Sequence, residues 1–214
     1  MISYNNLGFV NTREMFKEAY AGKYVIGAFN FVCLEQMQAI TAAAMETRSP
    51  FIMQCSANVA RYVNHLMIRH MAEACVEIIR SEGLTIPMAL HLDHGTTFEV
   101  CKEAIEEGFS SVMIDGSAFP FQENIELTAR VVEFAKKHDV TVEGELGVVS
   151  GIEEEIEHGE SRFTDPQSVS EFVNRTGFSA IIDPRKFLAP ARDAMKEVYV
   201  YKMREVFGCA GKAS

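Results

Sequence analysis

The sequence predicts an α/β domain built on a parallel sheet with crossover helices, and three observations predict it. Short apolar runs rich in β-branched residues alternate with segments of helical periodicity. The runs recur at intervals of about thirty residues, the length of one strand–helix unit. The 214 residues suffice for one domain with a substantial core but not for two, so residues 1–214 read as a single unit.

Residues 24–30, 51–56, 87–93, 110–115 and 141–147 read as strands, with a weaker sixth at 178–182. Asn11 opens a helix, with Glu14 at capping-box spacing. Gly22 and Gly108 suit left-handed helix ends. Leu34, Met37, Ile40, Ala44 and Met45 share one apolar helix face, and Ile68, Met71, Cys75, Ile78 and Ile79 share another. Thr96 with Glu99 caps a further helix, and Asp165 followed by Pro166 caps one more. Asp183-Pro184-Arg185 opens a terminal helix through 189–207. The nearly unbroken apolar character of the strands implies a sheet covered on both faces. A closed eight-unit barrel takes roughly 250 residues. Five to six βα units plus a C-terminal helix fall two or three short of it, and a smaller open sheet fits the same pattern.

Composition narrows the function. Apolar residues make up 48% and charged residues 23%, an ordinary globular mix. The net charge of −10 argues against nucleic acid or an anionic membrane as partner. It does not argue against a small anionic substrate, which a few local donors can hold. No apolar run approaches a membrane span, and the first residues lack the pattern of a secretion signal. The five cysteines, Cys33, Cys55, Cys75, Cys101 and Cys209, form no CxxC pair. They read as reduced cytoplasmic thiols rather than zinc ligands.

Five segments offer chemistry. His91-Leu92-Asp93-His94-Gly95-Thr96-Thr97 places an acid and two imidazoles at the C-terminal end of a strand, where parallel α/β folds bind ligands. Helix capping explains the same residues equally well. In Val142-Glu143-Gly144-Glu145-Leu146-Gly147 two carboxylates share one strand face, and a divalent cation is their simplest partner. The alternative is a pair solvated at the strand end. Asp115 in Met113-Ile114-Asp115-Gly116-Ser117 reads, taken alone, as an Asp-Gly turn. The acidic run Ser150-Gly151-Ile152-Glu153-Glu154-Glu155 fits a solvated loop or a mobile catalytic one. Gln54-Cys55-Ser56-Ala57-Asn58 offers small polar groups to a phosphate or hydroxyl, or simply a turn.

Together with Gly27-Ala28-Phe29-Asn30, Phe163-Thr164-Asp165-Pro166 and the stretch from Asp183 to Arg192, these segments resemble the class II, metal-dependent ketose-bisphosphate aldolases, in the family's own order. The resemblance implies a TIM (β/α)8 barrel, incomplete here, and a cytoplasmic homo-oligomer, dimer or larger. It implies reversible cleavage of fructose 1,6-bisphosphate, a step of glycolysis and gluconeogenesis, to dihydroxyacetone phosphate and glyceraldehyde 3-phosphate through a metal-stabilised ene-diolate. It assigns Asp93 as catalytic acid/base and His94 as a ligand of the catalytic Zn2+. Asp115 and Glu145 match carboxylates at a second cation position, divalent or monovalent, with Glu145 also near the zinc. Glu153 matches the loop glutamate that moves the carbon-bound proton, with Glu154 as the alternative register. Ser56 and Asn30 match substrate-binding positions.

The sequence departs from that family in one place. Two further histidine ligands, glycine-rich phosphate loops and an Asn-Asp strand are expected after Ala180, yet the chain passes within a few residues to Asp183-Pro184-Arg185. This implies an internal truncation at 180–183, with its seam near Ile181. Of the other histidines, His65, His70, His91, His138 and His158, His70 and His138 lie in helical contexts and are not placed like ligands, and His91 suits the interior but does not restore three ligands. Tagatose-bisphosphate cleavage, or a non-catalytic binding or oligomerisation module, are the alternative functions.

Overall fold

A computed structural model describes residues 1–147, 151–153, 156–158 and 164–177. The weak strand at 178–182, the seam, the terminal helix, Glu154 and Cys209 lie outside the described residues. Two N-terminal helices, α1 (Tyr4–Leu7) and α2 (Thr12–Gly22), lead into β1 (Gly27–Asn30) and α3 (Leu34–Thr47). Next come β2 (Phe51–Ser56), α4 (Ala57–Val63), α5 (His65–Ser81), β3 (Met88–Gly95) and α6 (Phe98–Glu106). Then follow β4 (Ser111–Ile114), α7 (Phe121–Lys136), β5 (Thr141–Gly144), the short β6 (Gly151–Glu153) and β7 (Ile156–His158), and α8 (Pro166–Thr176). Strands β1 to β5 form one sheet in sequence order, every pair parallel. Each crossover carries at least one helix, as parallel pairing requires. Among the described residues the edge strands β1 and β5 have one partner each.

The two faces of the sheet differ in chemistry. Alternation sends Phe51, Met53, Leu90, Leu92, Val112 and Ile114 outward under the helices, all buried. Each such burial contributes roughly 1.5–3 kcal/mol. On the inner face Ile52 and Ala89 meet Met15 of α2, and Val10 and Phe16 pack beside them to close the N-terminal end. Further along the same face come Gln54, His91 and Ser111, then Asp93. The inner face is therefore apolar at its base and mostly polar above it.

The base is tied across its width. Thr12 Oγ1 donates to Thr141 Oγ1 at 2.8 Å, joining α2 to the start of β5. Asn11 Nδ2 donates to the Asp139 carbonyl at 2.9 Å, and Arg13 pairs with the Asp139 carboxylate at 2.7 Å.

Several local expectations hold and others shift. Asn11 caps α2 by accepting from the Arg13 amide, but Glu14 completes no capping box because it pairs with Lys17 at 2.6 Å. Gly22 ends inside the helix, and Lys23 takes the left-handed position, φ 56°. A Cβ at Gly22 would lie 2.8 Å from the Tyr24 ring. Gly108 is left-handed, φ 97°. Thr97, not Thr96, caps α6, accepting from the Val100 amide at 3.2 Å. Asp165 caps α8, accepting from the Gln167 and Ser168 amides. Leu34 and Ile78, placed on apolar faces by periodicity, are exposed. Part of the acidic run is strand: Gly151 pairs antiparallel with His158 and Glu153 with Ile156.

Candidate metal and catalytic site

Asp93 and His94 are adjacent on β3, yet both reach polar partners along the inner face. A regular strand would send neighbouring side chains to opposite faces. A bulge resolves the conflict. His91 pairs with Ser111 and Leu92 with Val112, but the next pairing is Gly95 with Ile114. From Leu92 to Gly95 is three steps and from Val112 to Ile114 two, so β3 carries one extra residue. His94 absorbs it in left-handed backbone, φ 49°, a conformation that costs a non-glycine residue on the order of 1–3 kcal/mol. Gly95 lets the strand rejoin β4, because a Cβ there would sit 2.7 Å from both Cys101 Sγ and the Met113 carbonyl oxygen. The Asp115 amide then donates to the Gly95 carbonyl at 2.8 Å.

The bulge divides the two side chains between two clusters. Asp93 faces β1 and β2, where Asn30 Nδ2 donates to Asp93 Oδ2 at 2.7 Å and Gln54 Nε2 to the same oxygen at 3.1 Å. Gln54 Nε2 also donates to Asn30 Oδ1 at 2.6 Å. His94 faces the ends of β4 and β5, with Nδ1 3.0 Å from Asp115 Oδ2 and 3.9 Å from Glu145 Oε2. Asp115 Oδ1 accepts from the Ser117 amide at 2.9 Å. One layer below, His91 is 2% exposed, with Nδ1 2.8 Å from Ser111 Oγ and Nε2 3.9 Å from a Glu143 carboxylate oxygen.

The electrostatics follow from this packing. The hydrogen bond to Asp115 raises the His94 pKa to about 9 against the opposing effect of burial, with help from the charges of Asp93 and Glu145. Burial alone would raise Asp115, but hydrogen bonds from His94 and Ser117 outweigh it and hold the carboxyl at about 2. One imidazole thus stands against two carboxylates.

One ligand atom from each of His94, Asp115 and Glu145 lies within 4.8 Å of the other two. An imidazole nitrogen with carboxylate oxygens is a donor set that suits a divalent transition metal, zinc among them. A cation would also offset the excess of negative charge that His94 alone cannot neutralise. The residues present therefore fit a metal.

Other residues singled out in the sequence stand as follows. Asn30 joins the Asp93 cluster. Ser56 pairs with Asp93 in the ladder, and its hydroxyl caps α4 by accepting from the Val59 amide at 3.4 Å. The backbone of Glu153 lies on β6, and its side chain is outside the described residues. His70 pairs with Glu73 on α5 at 3.4 Å, and His138, just past α7, meets the Phe134 ring at a tilt of 54°. Gln54, whose segment suggests polar contacts to a phosphate or hydroxyl, instead bonds Asp93, and Asn124 carries no signal in the motifs. Gln54 shares the strand parity of Ser56. Asn124 is a polar residue at a core position of α7, in phase with the buried Thr128 and Val131.

A family model described as "Fructose-bisphosphate aldolase class-II" matches residues 10–181. The chain belongs to that family. This class-II aldolase family member is 48% identical over 183 residues to the fructose-bisphosphate aldolase of Treponema pallidum (strain Nichols), covering 85% of this chain and 55% of that protein. It is 43% identical over 176 residues to the fructose-bisphosphate aldolase of Geobacillus stearothermophilus, covering 82% of this chain and 60% of that one. Among solved structures, the YdjI aldolase from Escherichia coli K12 superposes with a TM-score of 0.66 at 30% identity, over 79% of this chain and 59% of that chain. The aldolase-family chain spans 55 to 60% of the length of these curated relatives. Its five parallel strands are an incomplete barrel of the aldolase type.

Proposed function

We propose that this chain carries the first five βα units of a class-II aldolase. Completed to a full barrel, it cleaves fructose 1,6-bisphosphate to dihydroxyacetone phosphate and glyceraldehyde 3-phosphate, reversibly and with zinc. The observation that carries the reading is the bulge in β3, which sets Asp93 against two amides on one side and His94 against two carboxylates on the other. His94, Asp115 and Glu145 are the residues that would hold the cation. When bound, it supplies a Lewis acid that draws electron density from the substrate ketone.

The chain's own residues supply the proton movements. Asp93 takes the C4 hydroxyl proton as the C3–C4 bond breaks and returns it in condensation. Asn30 and Gln54 fix one oxygen of that carboxylate, which orients the other toward the substrate. Glu153 delivers a proton to the carbon left electron-rich and removes it in the reverse direction. Asn30 and Ser56 contact the sugar phosphate. No Schiff-base lysine takes part. The setting proposed is the cytoplasm, where the chain forms a homo-oligomer. The edges of β1 and β5, each with one partner among the described residues, support association, and no helix among those residues is long and apolar enough to cross a membrane.

The test is a chimera in which residues after Ile181 are replaced by the matching remainder of the Treponema pallidum relative. Cleavage should appear, vanish with a chelator and return with zinc, while the 214-residue chain alone should show none. A chimera that folds, binds zinc and leaves fructose 1,6-bisphosphate intact would refute the reading.

A further inference from the structure

Asn124 lies on α7, outside the Asp93 and His94 clusters, yet it touches the segments that carry two of the three candidate ligands. It is 2% exposed. Its Nδ2 donates to the backbone carbonyl of Glu145 at 2.8 Å. Its Oδ1 accepts from Thr128 Oγ1 at 3.1 Å, one helical turn further along α7. The Glu145 carbonyl settles the orientation of the amide, since it can only accept and so must meet the NH2, which leaves the oxygen for the Thr128 hydroxyl.

The other side of Asn124 presses on Gly116, the residue after Asp115. A Cβ at Gly116 would overlap Asn124 Oδ1 and lie 2.7 Å from its Cγ. The missing side chain at 116 thus lets the amide pass between the end of β4 and the end of β5. Both ends lie beyond the last ladder pair, Ile114 with Gly144. Asp115 and Glu145 each follow directly on that pair. Asn124 bridges the two segments, bonded to the Glu145 backbone and packed on Gly116.

We propose that Asn124, oriented by Thr128, is a positioning residue that holds Asp115 and Glu145 at metal-binding separation. The proposal rests on the reading of His94, Asp115 and Glu145 as a cation site. Partners of this kind, one step removed from the ligands, commonly change metal affinity on the order of 10- to 100-fold when lost. A role confined to packing α7 against the sheet would lower stability and leave the affinity of the folded protein unchanged.

The test is a cobalt(II) titration of the full chain, read by visible absorption and by competition with zinc, beside a thermal melt of each metal-free variant. Asn124→Ala should weaken binding roughly 10- to 100-fold and alter the absorption bands. Thr128→Val, which keeps the shape and removes the hydroxyl, should weaken it in the same direction. Thr128→Ser, which keeps the hydroxyl, should restore it. The Thr128 pair carries the test should Asn124→Ala fail to fold. Equal affinities and spectra for Thr128→Val and Thr128→Ser would overturn the positioning role while leaving the cation site standing. Binding by the unaltered chain that His94→Ala does not weaken would overturn the site and the positioning role together.

Discussion

Asp93 and His94 illustrate how far a single residue's duty can be read from its neighbours. The motif His91-Leu92-Asp93-His94-Gly95 marks both as chemical groups, and the structure gives each its own partners. In the completed barrel, Asp93→Ala should slow cleavage on the order of a hundredfold or more with zinc content unchanged, the scale of a lost general acid–base. His94→Ala should instead lose the metal. Glu153→Ala should retain zinc and slow tritium exchange at the dihydroxyacetone phosphate carbon. Elemental analysis beside exchange kinetics separates the three. The cysteines give a second prediction. Burial, with the Asp93 charge nearby, pushes the Cys55 thiol up to about 12, and burial alone does the same for Cys101. At a pH of about 8.5, near the ordinary thiol value, both should resist alkylation in the native protein while the partly exposed Cys33 reacts, as peptide mapping would show. The unfolded thiols ionise near 9.0 and the folded ones only near 12, so stability should fall as pH rises from the first value toward the second. Gln54 and Asn124 were less legible. Their roles depend on which strand lies alongside or which loop crosses a helix face, and neither is encoded in local spacing.

At the scale of the element, strands were read well because apolar β-branched runs are local signals. Four of the five main-sheet strands begin within one residue of the sequence estimate; β1 starts later, at Gly27, where its ladder with Phe51 begins. The caps show the limit of such reading. Thr96 and Thr97 offer identical hydroxyls, and backbone geometry selects Thr97, φ −142° and ψ 160°. The bulge was not legible at all, since an extra residue exists only relative to the partner strand. It depends on Gly95. Gly95→Ala should cost about 1–3 kcal/mol through overpacking against backbone and should weaken metal binding by displacing His94. Urea denaturation and a zinc titration would check both.

Across the whole molecule, the parallel sheet in sequence order was legible from the periodicity of the strand–helix units, and its openness from their number. The polar inner face was not, because composition averages the two faces of a strand. Among the described residues β1 and β5 each have one partner, and a strand edge left unpaired is a template for further strands. The 214-residue chain should therefore self-associate, and sedimentation showing a compact monomer with a sharp cooperative melt would contradict that. The ties from Thr12 and Asn11 to Thr141 and Asp139 should keep the base closed while the strand ends stay open. The measurement that bears most directly on the account is anomalous X-ray scattering at the zinc edge from crystals of the zinc-loaded, completed barrel. The account predicts one strong peak at the C-terminal end of β3, bonded to His94 and facing Asp115 and Glu145. A zinc peak elsewhere in an enzyme that still cleaves fructose 1,6-bisphosphate would contradict it.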